Sequence, residues 1–117
     1  MINIDTVLQH YILAALWSSF DDDDELLDTN YTKSDIHIDT LNKMRSDCIE
    51  FIHDAGTLLE ESRLSSEQIG HDFWFTRNGH GVGFWDKELG KIGDDLTDIC
   101  IKYGTIDLYI ANDWIYS

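Results

Sequence analysis

Residues 71–87, HDFWFTRNGHGVGFWDK, constrain the fold of this chain more than any other stretch. Asn78-Gly79 stands between two short aromatic runs, the strongest local signal for a β-hairpin with a two-residue turn. Placing those two residues in the turn sets the register. Arg77 then faces His80, Phe75 faces Val82, Phe73 faces Phe84 and His71 faces Asp86, all on one side. Thr76 with Gly81, Trp74 with Gly83 and Asp72 with Trp85 make the other side. A three-residue loop would slip one strand and set phenylalanines against glycines, so the alternation selects the register. Phe73, Phe75, Val82 and Phe84 form an apolar patch for the core. On the opposite side Trp74 and Trp85 lie beside Gly81 and Gly83, where a ring laid over a bare strand glycine stabilises it. The same glycines would let a ligand or a partner backbone approach closely between two tryptophans.

The chain has 117 residues, enough for one core, and a single α+β domain over 1–117 is expected. No run approaches the ~20 apolar residues that a membrane span needs. The N-terminal segment carries Asp5 early and lacks the positive region of a signal peptide. Cys48 and Cys100 fall in helical patterns and read as small core residues of a protein in a reducing compartment. With no CxxC and no zinc spacing, no metal is expected.

Charge is the strongest global feature. Eight basic and 23 acidic residues leave a formal charge of −15. That argues against direct binding to nucleic acid or to an anionic membrane. It permits either high solubility or attraction to a partner protein with a basic surface. Residues 64–87 carry three acids and two bases, so the excess acid lies outside the aromatic stretch.

Asp5 or Thr6 can cap a first helix that runs to about Ser18. Val7, Leu8, Tyr11, Ile12, Ala14, Ala15 and Leu16 make it so apolar that it is covered on more than one side. Asp21, Asp22, Asp23, Asp24 and Glu25 follow. Acids at a helix C-terminus oppose the dipole, so the run stops the helix. It lacks the alternation and the glycine of an EF-hand loop and reads as a solvated acidic loop. A long second helix spans about 34 or 39 to 63, with Ile38, Leu41, Met44, Cys48, Phe51, Ile52, Ala55, Leu58 and Leu59 at helical spacing. A third helix follows the hairpin, with Leu89, Ile92, Leu96, Ile99, Cys100 and Tyr103 buried and Gly104 as its cap. Residues 105–111 alternate cleanly. Ile106, Leu108 and Ile110 face inward, and Asn112-Asp113 turns the chain into a short last strand at 114–116. The expected fold class is α+β. Two N-terminal helices precede a β-hairpin, a helix and a C-terminal β-hairpin, which form one small, mainly antiparallel sheet packed on helices. Trp74, Trp85, Tyr109, Trp114 and Tyr116 then share the second face of that sheet. The first helix, a partner protein or a second copy in a homodimer must cover them.

ALWSS at 15–19, LDTNY at 27–31, GHDFWFTRNGHGVGFWDK at 70–87 and YGTIDLYI at 103–110 resemble a family of small, uncharacterised proteins encoded by bacteriophages and prophages. The resemblance spans nearly the whole chain. It implies a phage protein working in the host bacterial cytoplasm, and it implies no activity that can be carried to named residues.

The polar groups of the hairpin are His71, Asp72, Arg77, Asn78, His80 and Asp86. The pairs His71 with Asp86 and Arg77 with His80 sit at opposite ends, roughly 20 Å apart at ~3.4 Å per residue, and cannot share one active site. No catalytic motif is present, and no Walker or Rossmann spacing calls for a cofactor. The expectation is a non-enzymatic inhibitor or modulator of a host, nucleic-acid-associated protein. Its carboxylates would stand where a basic cleft expects phosphates. The candidate partner- or ligand-binding residues are Trp74, Arg77, Asn78, His80, Trp85 and the acids Asp21, Asp22, Asp23, Asp24 and Glu25. Two other readings stand beside it. One is a small enzyme or nucleotide-binding protein using hairpin residues 71–86, and the other is a virion or assembly component.

Overall fold

The computed structural model describes residues 2–79, 83–86 and 88–117, without the side chain of Asp86. Helix α1 spans Ile4–Ser18, the short α2 Leu27–Asn30, α3 Ile38–Ser62, α4 Ser66–Arg77 and α5 Lys91–Ile101. Single 3-10 turns lie at Lys33–Asp35 and Phe84–Asp86. Strands β1 (Tyr109–Ala111) and β2 (Trp114–Tyr116) close the chain as an antiparallel hairpin. The fold is therefore helices plus one small sheet.

The expected central hairpin is not there, because residues 66–77 are helical. Three local causes outweigh the strand-like alternation. Ser65 is an N-cap whose Oγ accepts from the Gln68 amide at 3.1 Å, the start signal of a helix. Every side chain from Asp72 to Arg77 is buried. A stretch buried all round shows no polar stripe, so the pattern of this half of the helix does not announce period 3.6. Finally, Asn78-Gly79 ends a helix instead of turning a hairpin. Asn78 has φ −95°, whereas a type I′ turn needs positive φ at both central residues. Gly79 alone is left-handed, at φ +74°, and its amide donates to the Thr76 carbonyl. The expected cross-strand pairs go with the hairpin. His71 Nδ1 lies 3.1 Å from Asp72 Oδ1 on its own helix, while His80, Gly81, Val82, Lys87 and the Asp86 side chain lie outside the described residues. The two aromatic faces dissolve likewise. Trp74 is buried, whereas Trp85, Tyr109 and Trp114 are exposed and share no sheet with it.

Helices α1 and α4 form the most extensive helix pair and run in the same direction. The Asn3 amide donates to Ser66 Oγ at 2.8 Å at one end, and Trp74 Nε1 donates to Ser18 Oγ at 2.8 Å at the other. Between them Gly70 lies against the Val7 carbonyl and the Tyr11 amide, where a Cβ would overlap backbone. Glycine thus permits the close crossing, at a helix-propensity cost of about 1 kcal/mol. The α1 cap is Asn3, whose Oδ1 accepts from the Thr6 amide, two or three residues before the expected position. Covered by α4, α3 and α2, α1 buries the seven apolar residues read from its sequence.

Phe51 of α3 stacks flat on Phe73 of α4, with centroids 4.1 Å apart, and Phe84 and Tyr103 complete this aromatic core. The α3 helix matches the expected span closely and stops at Arg63, which takes a left-handed φ of 60°. The C-terminal hairpin turns at Asn112-Asp113, both at positive φ as a type I′ turn requires, in the expected place. Its first strand is shorter than the alternation suggests. Only Tyr109–Ala111 pairs, and β2 docks beside the start of α3 through Ile36 and Ile115.

Candidate functional site

Arg77 ends α4 and points inward. Its guanidinium donates to four acceptors: Nε to the Gly104 carbonyl at 2.9 Å, Nη2 to the Tyr103 carbonyl at 2.8 Å, and Nη1 to Tyr11 Oη at 3.0 Å and Asp47 Oδ2 at 2.8 Å. It also lies over the Phe73 ring. Burial alone would lower its pKa, but the Tyr11 hydroxyl and the Asp47 carboxylate more than offset that and hold the charge. Arg77 thereby ties α1, α3, α4 and the chain after α5 together, and its side chain is 2% exposed. Nearby, burial pushes the Cys48 thiol up to about 12, with Asp47 adding to the rise and Arg77 opposing it. That thiol is neutral and inert at physiological pH.

Trp74 and Asn78, one helical turn apart, line an open cleft of about 580 Å³. Its walls are Ser18, Ser19 and Phe20 on one side and residues 105–108 on the other. Asn78 is fixed twice: its Nδ2 donates to the Trp74 carbonyl at 2.9 Å, and its Oδ1 accepts from the Ile106 amide at 2.8 Å. The cleft thus has a positioned floor and a pinned far wall.

Phe20 leads directly from this cleft into the acidic run. Phe20 and Leu26 form an antiparallel bridge that closes the loop. Inside it Asp21 Oδ1 accepts from the amides of Asp23 (2.9 Å) and Glu25 (3.0 Å). The Asp21 amide donates to the Glu25 carbonyl at 2.8 Å, and Asp24 takes φ 60°. The run is an ordered turn that presents Asp22, Asp23, Asp24 and Glu25 to solvent. It does not stand alone. The Tyr31 hydroxyl is pushed above its ordinary pKa by partial burial and then by Asp113, Asp21, Asp35 and Asp23. Acids from three separate segments therefore lie near enough to Tyr31 to act on it. Among the described residues, the ion pairs with arginine or lysine are Asp5 with Arg45, Asp47 with Arg77 and Asp95 with Lys91, and none involves these acids.

The sequence candidates thus fall into four places. Trp74 and Asn78 share the cleft, Asp21, Asp22, Asp23, Asp24 and Glu25 adjoin it through Phe20, Arg77 is interior, and Trp85 is exposed on the 84–86 turn. His80 lies outside the described residues. Sequence reasoning missed Phe20, Tyr31, Asp35, Asp107 and Asp113. Phe20 and Leu26 bracketing a five-acid run was the one visible signal. The others are joined only by tertiary folding.

Among the described residues no group of three or more His, Cys, Asp or Glu side chains is placed to hold a metal ion. No helix among them is long and apolar enough to cross a membrane. No family model matches the chain, and no curated protein or solved structure matches it.

Proposed function

We propose that this chain is a non-enzymatic binding protein that offers an acidic face to a basic surface of a host, nucleic-acid-associated protein. In this reading it is a phage- or prophage-encoded modulator acting in the bacterial cytoplasm. The observation that carries it is the ordered turn at residues 21–25, whose hydrogen bonds hold Asp22, Asp23, Asp24 and Glu25 out to solvent. Like charges held side by side cost folding energy through mutual repulsion, which a solubility role alone does not require. Fixed in this way, they form a negative surface that steers and orients a basic partner. The competing reading of a ligand site on hairpin residues 71–86 loses its scaffold, since residues 66–77 are helical.

The test is capture of bacterial lysate proteins on the tagged chain, followed by elution with rising salt. The control carries Asp→Asn at 21–24 and Glu25→Gln, which keeps an acceptor oxygen at position 21. A basic, nucleic-acid-associated protein that binds stoichiometrically, elutes with salt and is lost by the control supports the proposal. A partner held equally by the control, or none at all, opposes it.

A further inference from the structure

We infer that the cleft between Phe20 and residues 105–108 receives one arginine side chain of the partner, a step that rests on the acidic-face reading above. Its volume, about 580 Å³, is in the range of small-ligand sites. Among the described residues that line it, Asp107 is the charged one and none is basic. Phe20 is 61% exposed and presents a bare ring at the mouth. Phe20 and Asp107 stand on opposite walls of the cleft, which Ser18, Ser19 and Thr105 also line. A phenyl ring on one wall and a carboxylate on the other is a chemistry for cations. A flat guanidinium stacks on the ring face and pairs with a carboxylate through two parallel N–H donors. A lysine ammonium is a compact, strongly hydrated point charge and gains less from the ring.

Both walls are held before anything binds. The Leu27 amide donates to the Ser19 carbonyl at 2.9 Å beside the Phe20 and Leu26 bridge, and Asn78 pins the Ile106 amide. Little ordering cost is then left for the bound state. The acidic run begins one residue after Phe20, so the cleft opens inside the negative field that gathers cations. The long-range field treats lysine and arginine alike, and the cleft is what tells them apart.

Tetra-arginine and tetra-lysine peptides, equal in charge, are the probes, read by amide resonances of the full chain. Tetra-arginine should shift the amides of residues 18–20 and 105–108 and the Trp74 indole N–H, and should bind several-fold tighter than tetra-lysine. Asp107→Asn and Phe20→Ala, both at exposed positions, should each weaken tetra-arginine by about three- to tenfold, toward the tetra-lysine level. Their unperturbed spectra elsewhere confirm folding. Equal binding of the two peptides, or shifts confined to residues 21–25 and insensitive to both variants, overturns the inference. The captured partner separates this failure from that of the acidic-face reading. If Asp107→Asn keeps full partner affinity while neutralising residues 21–25 removes it, the cleft assignment falls and the acidic face stands. If neither change matters, the acidic face falls too.

Discussion

The Arg77 guanidinium lies 2.8 Å from the Asp47 carboxylate, and this contact joins the end of α4 to the middle of α3 inside the protein. The arginine is 2% exposed and the aspartate 21%, so the pair is only weakly screened. Removing the arginine leaves Asp47 without its cation and two carbonyls without donors. Arg77→Ala should cost about 3–5 kcal/mol in a urea melt. Arg77→Lys should recover only a minor part, because one ammonium cannot span four acceptors lying in different directions. A loss under ~1 kcal/mol for the alanine variant would contradict the interior role.

Glycines within helices give a pair of opposite expectations. Gly56, inside α3, has open space where a Cβ would stand, so Gly56→Ala should stabilise by about 0.5–1 kcal/mol. Gly70 sits on the α1 backbone, with the Tyr11 amide 2.9 Å from where a Cβ would lie. There the same change should destabilise, by about 1–3 kcal/mol, since α1 must move away. Two stabilising substitutions in thermal melts would show that α1 and α4 do not cross at Gly70.

How much of this was legible follows from where each signal resides. α1, α3 and the turn at Asn112-Asp113 carried their own evidence in local spacing, though the N-caps of both helices lay elsewhere than expected. α4 did not, because Phe73 packs on Phe51, Trp74 on Tyr11 and Phe75 on Trp17. Partners on three sides erase the amphipathic stripe, and what remains imitates a strand. Ser65 with Gln68 was the cue that outranked it. The cleft was half legible: Trp74 and Asn78 stood out, but their helical spacing was hidden by the strand reading. The acids around Tyr31 are joined only by the fold.

Tyrosine ionisation should set an alkaline limit to stability. Burial pushes the Tyr11 hydroxyl well above its ordinary value near 10, against the nearby Arg77. Tyr103 is likewise raised, by desolvation and by the hydrogen bond it donates to Asp54 at 2.6 Å. The unfolded chain loses these protons first. Their contribution is therefore intact below about pH 10 and is lost as pH rises toward the folded values. Phenolate absorbance should show these two tyrosines ionising only as the fold melts. Titration of both near pH 10 in a chain still folded by circular dichroism would refute the assignment.

Thr76 holds the returning chain against α4. Its Oγ1 accepts from the buried Phe84 amide at 3.0 Å, and a Cβ at Gly83 would overlap that hydroxyl. Phe84 in turn is fully buried beside Phe51. Thr76→Val keeps the shape and removes the acceptor, leaving a buried amide unpaired. Such a group costs about 1–3 kcal/mol, so the valine variant should lose that much in a denaturant melt. Thr76→Ser keeps the oxygen and should lose less, only the packing of one methyl group. Native-state hydrogen exchange separates this from a general loss of stability. In the valine variant the Phe84 amide should exchange far faster than the α3 amides around Phe51, which mark the global core. Equal acceleration at both places would mean that the hydroxyl has no local part in seating Phe84.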